Sequence, residues 1–367
     1  MTPSQLVSNA QCIAIKVGSS LLTGDRTAWM GSLAADIAAL RAEGKTVLLV
    51  SSGAVALGRQ RLGLRGSPRL AAKQAAAATG QPLLMAAWNA AFAAHGLTAA
   101  QLLLTIGDTE ARRRWLNARA TIETLLGLGV VPVVNENDSV ATEELRYGDN
   151  DRLSARVAQL AGADVLVLLS DVDGFYERDP VADPSAALID RLEAIGTDEL
   201  AAAGGAGTAV GTGGMRTKLE AARIAQGFGC ATLIASGVHD HPLARLRADG
   251  ARATLVPARG SPASAYKQWI AGTLAPLGQL GIDRGAADAL GRGSSLLPSG
   301  VRSIEGEFVP GDCVRILCDG RELGRGLARY GAREASVIAG LRATDIAGRL
   351  GYSRGDELIH RDDLVLT

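Results

Sequence analysis

The sequence contains few aromatic residues and almost no lysine. Aromatic side chains occupy 4% of the 367 positions, although hydrophobic residues make up 47%. Small side chains must therefore fill much of the core, which favours helices packed closely on a sheet. The basic residues are 33 arginines and only five lysines: Lys16, Lys45, Lys73, Lys218 and Lys267. A lysine retained among so many arginines can mark a position that needs a compact ammonium, although chance retention explains Lys45 and Lys267 equally well.

Other absences exclude several classes of protein. The net charge is zero, so no strong attraction to nucleic acid or to an anionic membrane is expected. The four cysteines and four histidines form no metal-ligand pattern, and the cysteines are expected to be reduced packing residues. The N-terminal segment lacks the pattern of a signal peptide, and no apolar run reaches the roughly 18 residues of a membrane helix. We therefore expect a cytoplasmic protein.

Two common nucleotide-binding signatures are also missing. No G-x-x-x-x-G-K-[ST] motif occurs, because Lys218 lies five residues after Gly213 and is followed by Leu219. No G-x-G-x-x-G motif follows the first predicted strand, which argues against a dinucleotide-binding fold.

The first two-thirds of the chain alternates short β-branched runs with longer alanine-rich stretches. The runs predict buried strands at 12–17, 46–51, 101–105, 130–134, 165–170 and 231–235. The stretches between them predict helices at 28–43, 71–95, 116–128, 152–161 and 215–227. This alternation predicts an α/β fold with a mostly parallel sheet sandwiched by helices. Ligands of such sheets bind beyond the carboxyl ends of the strands.

The pattern changes after about residue 262. We expect a linker at 263–277 and a small β-rich domain at 278–367, where short strands and glycine turns replace long helices. The second domain contains 12 arginines and no lysine against 13 acidic residues. Its charge balance gives no basic surface typical of RNA binding.

Three small-residue segments follow predicted strands or precede a helix. In segment 15–20, Lys16 precedes Gly18, and the backbone there can approach phosphate closely. Segment 50–54 places Ser52 and Gly53 at a helix start, which is also typical of an ordinary helix cap. Segment 211–218 is a glycine loop leading into a helix that carries Lys218, which suits the β- and γ-phosphates of ATP or is simply a loop.

Two acidic and amide-rich segments lie between these loops. Segment 134–138 follows a buried strand and 148–151 opens the next helix; such a set can hold an α-amino group and orient cations. A helix cap is the alternative, but one cap needs only one such residue.

Segment 169–176 ends the most hydrophobic strand with Ser170 and Asp171, where a nucleoside could dock or a tight Asp-Gly turn could form.

In this order and spacing, the motifs resemble the amino-acid kinase family and, within it, the glutamate 5-kinase group. The matching segments are IKVGSS, SSGA, the segment from Lys73 to Gln81, NENDSVA, GDNDRLSA, SDVDGFY and GTGGMRTK. Segment 292–300 resembles the opening of the PUA domain that follows many bacterial kinases of this group, and 360–363 resembles its end. The resemblance thus implies an amino-acid kinase domain at 1–262 and a PUA-like domain at 278–367.

The resemblance also implies site residues. Lys16, Lys218 and Asp151 would be catalytic, with Asp151 holding the two lysines. The substrate-binding residues would be Ser52, Gly53, Asp138 and Asn150. The ATP-binding residues would be Lys16, Gly18, Ser170, Asp171, Thr212, Gly213, Gly214, Met215, Arg216, Thr217 and Lys218. No protein-held metal site is implied, because Mg²⁺ would be bound mainly through the ATP phosphates.

The implied reaction is ATP-dependent phosphorylation of the γ-carboxylate of L-glutamate, the first step of proline biosynthesis. Feedback inhibition by L-proline and a homodimer or homotetramer are implied as well. The alternatives are a family member acting on acetylglutamate, aspartate, carbamate or UMP, or an RNA-binding role of the PUA-like domain. The paired NEND and GDND segments and the second domain argue against the other kinases, and charge balance argues against RNA.

Overall fold

The chain folds into two compact units, Met1–Pro262 and Ala263–Thr367. A computed structural model describes residues 1–24, 26–66, 69–141, 149–180, 182–203, 214–273 and 275–366. Within the described residues, no helix combines the length and the apolar character needed to cross a membrane.

The first unit is built on a seven-stranded sheet. Its strands are β1 (Cys12–Val17), β2 (Thr46–Ser51), β3 (Ala99–Leu104), β4 (Val131–Glu136), β5 (Val165–Ser170), β6 (Ala231–Ser236) and β7 (Ala253–Val256). They lie in the order β3-β4-β2-β1-β5-β6-β7, and every neighbouring pair is parallel except β6 and β7. The predicted mostly parallel sheet is therefore confirmed.

Helices connect these strands. They are α1 (Pro3–Asn9), α2 (Thr27–Ala42), α3 (Ala54–Leu62), α4 (Leu70–Ala93), α5 (Ile106–Glu110), α6 (Arg112–Gly127), α7 (Asp149–Ala161), α8 (Thr197–Ala202), α9 (Met215–Gly227) and α10 (Pro242–Leu246). Another helix, α11 (Pro262–Thr273), occupies part of the segment expected to be a linker.

The two faces of β1 carry different kinds of side chain. Ile13, Ile15 and Val17 belong to a core that also contains buried residues of α2 and α4. Because side chains alternate along a strand, Lys16 projects to the opposite face, where α7 packs on β1. Lys16 is 5% exposed, so the fold buries this ammonium group instead of leaving it in solvent.

The second unit has its own sheet and core. Its elements are β8 (Gly278–Ile282), α12 (Arg284–Gly291), β9 (Val301–Gly306), β10 (Cys313–Cys318), β11 (Arg321–Leu327), α13 (Ala332–Ile338), α14 (Ile346–Leu350) and β12 (Leu364–Leu366). The strand order is β12-β11-β10-β8-β9, with only β8 and β10 parallel. The predicted β-rich second domain is thus confirmed.

Candidate active site

Polar residues collect where four neighbouring strands end. Lys16 is the penultimate residue of β1, and Ser52 comes directly after β2. Asn135 and Glu136 close β4, and Ser170 closes β5. Since β4, β2, β1 and β5 are neighbours and parallel, these residues lie along one edge of the sheet. That edge is where open α/β sheets bind their ligands.

Asp151 brings the two lysines of the glycine segments together. Lys16 Nζ lies 2.6 Å from Asp151 Oδ1, and Lys218 Nζ lies 3.7 Å from Asp151 Oδ2. The Asp151 side chain is completely buried, and each lysine side chain is 6% exposed. Thr217 Oγ1 donates a hydrogen bond of 2.7 Å to Asp151 Oδ2. One carboxylate on α7 therefore connects β1 with the first turn of α9.

Burial and charge act in opposite directions on Asp151. Burial alone would raise the pKa of Asp151, because it penalises the charged form, but the two ammonium groups and the Thr217 hydroxyl outweigh it and hold the pKa below its ordinary value. The pKa of Lys218 is lowered, first by burial and then by the nearby charge of Lys16, against the opposing attraction of Asp151. Asp151 is consequently ionised at neutral pH.

The start of α9 presents backbone donors beside Lys218. Gly214 occupies the position before the helix and has no side chain with which to cap it. The backbone N–H of Thr217 donates to Gly214 O at 3.1 Å, which holds the first turn together. Unpaired N–H groups and the positive end of the helix dipole favour an anion at such a terminus. Two residues assigned to this loop by resemblance, Thr212 and Gly213, lie outside the described residues.

The remaining residues of the loop differ in exposure. Met215 is half-buried, whereas Arg216 is exposed and pairs with Glu220 at 3.2 Å. Glu220 also pairs with Arg152 of α7 at 2.6 Å. These ion pairs attach the start of α9 to α7 through exposed arginine side chains.

A cavity adjoins the end of β5. It has a volume of about 660 Å³, within the range of small-molecule sites. Asp171 lines it, and Ser170 Oγ donates to Asp171 Oδ1 at 3.0 Å. Gly18 lies near the same strand end, since a Cβ there would be 3.6 Å from Leu169 O and 3.7 Å from Lys16 Nζ.

Three side chains form a connected wall of this cavity. Tyr176 Oη donates to Asp173 Oδ1 at 2.6 Å. Arg252 Nε donates to Asp173 Oδ2 at 2.8 Å, and Arg252 Nη2 donates to Tyr176 Oη at 2.9 Å. The sequence marked the segment that contains Asp173 and Tyr176, but Arg252 lies in no motif and could not have been found from it.

The residues assigned to the substrate lie on the other side of Lys16. Ser52 is buried, and Gly53 has a φ of +114°, which a side chain would strain, so glycine is required where β2 turns into α3. Asn150 lies in the first turn of α7 next to Asp151, and Asp138 is half-buried in the turn after β4. Ser52 and Gly53 thus follow β2 and Asp138 follows β4, and Asn150 Nδ2 donates to Asn135 Oδ1 at the end of β4.

One positioning residue had no signal in the sequence. Asp36 of α2 is buried and accepts hydrogen bonds from the backbone N–H groups of Leu243 at 2.9 Å and Ala244 at 3.2 Å. His241 Nδ1 lies 2.8 Å from its other oxygen. Asp36 thus caps α10, whose residues line the cavity, from more than 200 positions away in the chain.

The geometry suits the transfer of a phosphoryl group. Two buried ammonium groups are held by one carboxylate, and the cavity after β5 adjoins the same edge of the sheet. Such cations stabilise the charge that spreads over a phosphoryl group in transit.

Comparisons with known proteins agree with this chemistry. The family model described as "Amino acid kinase family" matches residues 11–236, and the model "PUA domain" matches residues 278–350. The chain therefore belongs to the amino acid kinase family and carries a PUA domain.

Full-length relatives narrow the assignment within the family. The "Glutamate 5-kinase" of Caulobacter vibrioides (strain NA1000 / CB15N) is 59% identical over 97% of both chains. "Glutamate 5-kinase 1" of Rhizobium meliloti is 53% identical over 98% of this chain and 93% of its own. Among solved structures, T. acidophilum isopentenyl phosphate kinase matches with a TM-score of 0.44 at 17% identity, over 67% of this chain and 99% of that one. The first two similarities place the chain with the glutamate 5-kinases.

Proposed function

We infer that this protein transfers the γ-phosphoryl group of ATP to the γ-carboxylate of L-glutamate. The products are L-glutamyl 5-phosphate and ADP, and the reaction is the first step of proline biosynthesis. The observation that carries this inference is the similarity over nearly the whole chain to relatives named glutamate 5-kinase. The buried cluster of Lys16, Asp151 and Lys218 supplies chemistry suited to the reaction.

The acceptor determines what the protein must provide. A carboxylate is ionised at neutral pH and is already a nucleophile, so no general base is required. The barrier lies in bringing two anions together and in stabilising the charge on the transferring phosphoryl group. Lys16 and Lys218 provide that stabilisation, while Asp151 keeps both ammonium groups at fixed positions. Asp151 acts as a positioning residue and takes no proton.

The nucleotide is assigned to the cavity after β5. The nucleoside lies against Asp171 and the wall formed by Asp173, Tyr176 and Arg252, and the phosphates extend toward Gly18 and the start of α9. The cavity volume and the uncapped helix terminus support this orientation. The assignment of Ser170, Asp171 and residues 212–218 to ATP is part of the proposal.

Glutamate is assigned to the polar pocket between β2 and β4. Ser52, Gly53, Asp138 and Asn150 bind its amino-acid end, so that the γ-carboxylate points toward Lys16. The burial of Ser52 beside a helix start and the amide of Asn150 next to Asp151 support this direction.

Mg²⁺ is proposed to enter with ATP. It prefers oxygen ligands and usually keeps several waters beside substrate phosphates. At the described site, the Asp151 carboxylate is already paired with two ammonium groups. Coordination through the phosphates therefore fits these residues better than a site held by the protein, and bound Mg²⁺ would add charge neutralisation on the ATP side.

Turnover with a panel of acceptors tests the proposed reaction. ADP release is measured with L-glutamate, N-acetylglutamate, aspartate, carbamate and UMP, and hydroxylamine traps the labile acyl phosphate. We expect hydroxamate only with L-glutamate. ADP release that does not depend on glutamate, or that is faster with another acceptor, would contradict the assignment.

Regulation and location belong to the same proposal. L-Proline carries an α-amino group and a carboxylate like those of glutamate, so it is expected to compete at the glutamate pocket. A rise in the apparent KM for glutamate with added proline, at constant kcat, is the expected result.

We also propose that the protein acts in the cytoplasm, because both of its substrates are metabolites of that compartment.

The outer face of α4 is the surface through which we propose that the protein self-associates. Residues 74–93 contain no charged side chain, and Leu83 is 43% exposed among exposed alanines that include Ala86, Ala87 and Ala90. An uncharged apolar face of this kind is typical of a protein interface. A homodimer or homotetramer is therefore expected.

RNA binding is not favoured, because the charges of residues 278–367 are balanced.

A further inference from the structure

Four side-chain amides form a continuous chain of hydrogen bonds between the surface and the proposed glutamate pocket. Asn150 Nδ2 of α7 donates to Asn135 Oδ1 of β4 at 3.2 Å. Asn135 Nδ2 donates to Gln81 Oε1 of α4 at 2.8 Å, and Gln81 Nε2 donates to Gln101 Oε1 of β3 at 3.0 Å. Asn135 and Gln81 are buried, whereas Gln101 is exposed.

A backbone group fixes the direction of this chain. The N–H of Glu136 can only donate, and it lies 2.9 Å from Asn135 Oδ1, so the Asn135 oxygen must face it. The Asn135 nitrogen then faces Gln81 and donates to it, so the Gln81 atom that accepts must be the oxygen. Because Asn150 approaches the same Asn135 oxygen, it must do so with its nitrogen. The orientation of all four amides therefore follows from one backbone donor.

The fixed orientation leaves a buried acceptor on Asn150. Asn150 Oδ1 is buried and has no hydrogen-bond partner among the described residues. A buried acceptor without a partner is costly, so the site is completed when a ligand donates to it. An α-ammonium group has only donors, which matches an oxygen and would be repelled by an amide nitrogen.

We propose that Gln81 is a positioning residue that sets Asn150 to receive the α-ammonium group of the substrate. This inference rests on the proposed function, in which the substrate is L-glutamate. Gln81 touches no substrate. It acts by accepting from Asn135 Nδ2, which holds the Asn135 side chain where its oxygen can accept from Asn150.

Replacing the acceptor at position 81 tests the proposal. Gln81→Met is close to glutamine in size but leaves the buried Asn135 Nδ2 without its acceptor. We expect the KM for L-glutamate to rise about tenfold, since a hydrogen bond to a charged group is weakened. The kcat and the KM for ATP stay within about twofold, because the lysines and the nucleotide cavity are untouched.

An analogue without the amino group provides the decisive readout. Glutarate has both carboxylates of glutamate but no α-ammonium group. Its inhibition constant is expected to be the same in the Gln81→Met and unaltered proteins. A purely structural defect would weaken glutamate and glutarate equally, and that result would overturn the proposal.

Two conservative variants serve as controls. Gln81→Glu keeps an oxygen toward Asn135, and the exposed Gln101 can turn to donate to the new carboxylate, so the KM for glutamate should stay within about threefold. Gln101→Ala removes only the exposed end of the chain and should have the same small effect. A large rise in KM in Gln81→Glu would contradict the role assigned to its oxygen.

A double-mutant cycle shows whether Gln81 acts through Asn150. In an Asn150→Ala protein the further change Gln81→Met should leave the KM for glutamate unaltered, and an additive effect would refute the link. Gln81→Leu also removes the acceptor but has a different shape. If Gln81→Met does not fold, Gln81→Leu can be measured in its place. Absence of glutamate-dependent turnover in the unaltered protein would refute the proposed function instead, which keeps the two failures distinct.

Discussion

Lys16, Asp151 and Lys218 together carry one net positive charge in a buried place. Their side chains are 6%, 0% and 6% exposed. A charge removed from water interacts strongly with any anion that enters, because less solvent screens it. Asp151 cancels one of the two ammonium charges, so both lysines can be buried together while one charge remains to attract an anion.

Exchanging either lysine for arginine should remove most activity. The planar guanidinium of Lys16→Arg or Lys218→Arg cannot keep a compact charge beside the buried Asp151. We expect kcat to fall by about 10²–10³, the usual cost of losing one preorganised group that stabilises the transition state. Hydroxamate formation measures the rate, and circular dichroism confirms that the variants are folded.

The chain offers a matched control for these variants. Lys267 is exposed, lies after the first unit and belongs to no part of the proposed site. Lys267→Arg should keep turnover within about twofold, as expected for a surface change. Near-normal turnover in Lys16→Arg or Lys218→Arg would show that the compact ammonium is not needed.

The pH dependence of activity should reveal the deprotonation of Lys218. Burial lowers the pKa of this lysine below its ordinary value. Only the protonated form attracts phosphate, so kcat/KM for ATP should decline on the alkaline side at a pH below that at which an exposed lysine titrates, which is about 10.4. The residual activity of Lys218→Arg should lack this decline, since arginine keeps its charge. An unchanged alkaline limb in that variant would contradict the assignment.

At the scale of elements, α3 and α4 cross with their backbones in contact. A Cβ on Gly80 of α4 would lie 1.9 Å from Ala54 O, and one on Gly58 of α3 would lie 1.7 Å from Ala76 O. Such distances are far inside van der Waals contact, so only glycine permits the crossing. Ala54 is the first residue of α3 and follows Ser52 and Gly53, which ties the crossing to the proposed glutamate pocket.

Gly80→Ala should therefore reduce both stability and glutamate binding. The new methyl group must push α3 away from α4, and overpacking of this kind costs about 1–3 kcal/mol of unfolding free energy. The KM for glutamate should rise as well, because Ser52 and Gly53 directly precede α3. Urea denaturation and steady-state kinetics measure the two effects.

Gly31→Ala is the corresponding control. Gly31 lies within α2, and nothing is within 4 Å of the Cβ position. Alanine there should raise the unfolding free energy by roughly 0.5–1 kcal/mol through helix propensity alone. Equal destabilisation by both substitutions would mean that the close crossing is not the cause.

Strands were easier to predict than short helices. Three predicted strands, 12–17, 46–51 and 165–170, coincide with β1, β2 and β5, because buried parallel strands are continuous apolar runs with turns at both ends. The five-residue α10 was not predicted. Its cap is Asp36 of a distant helix, and its preceding residue, His241, has a φ of +55°, so no local pattern identifies it.

At the scale of the molecule, each unit has a separate hydrophobic core. Among the described residues, the larger core is formed by side chains between Val7 and Leu255, with Ala258 packed against it. The other core runs from Leu280 to Leu364. All residues assigned to ATP and glutamate belong to the first unit.

The first unit alone should therefore keep kinase activity. A protein ending at residue 262 contains the whole of its core and the complete candidate site. Glutamate-dependent ADP release within about tenfold of the full chain is the expected result, with circular dichroism as the check on folding. A folded but inactive truncated protein would show that the second unit contributes to catalysis.

Self-association should depend on the uncharged face of α4. Leu83→Asp places a charge in the centre of that face, where burial against another copy would leave the charge unpaired. We expect light scattering to report a lower mass for this variant than for the unaltered chain. The charge change Arg216→Glu, on the exposed side of α9, is a control that should leave the mass unaltered. An unchanged mass in Leu83→Asp would place any interface elsewhere.

The sequence by itself determined the architecture and the order of the polar segments. Apolar runs fixed which segments become buried strands, and small residues after them indicated where a ligand could approach. It also identified Lys16, Asp151 and Lys218 as a set, through motifs and family resemblance.

Only the tertiary structure decided which groups meet and how they are oriented. Thr217 and both lysines reach Asp151 because β1, α7 and α9 pack together, and no spacing along the chain encodes those distances. Gln81 and Asn135 lie 54 positions apart, yet one backbone N–H fixes the direction of their amides and of Asn150. Arg252 likewise joins Asp173 and Tyr176 only through folding. Hydrogen bonds depend on position and angle in space, which a linear pattern does not contain.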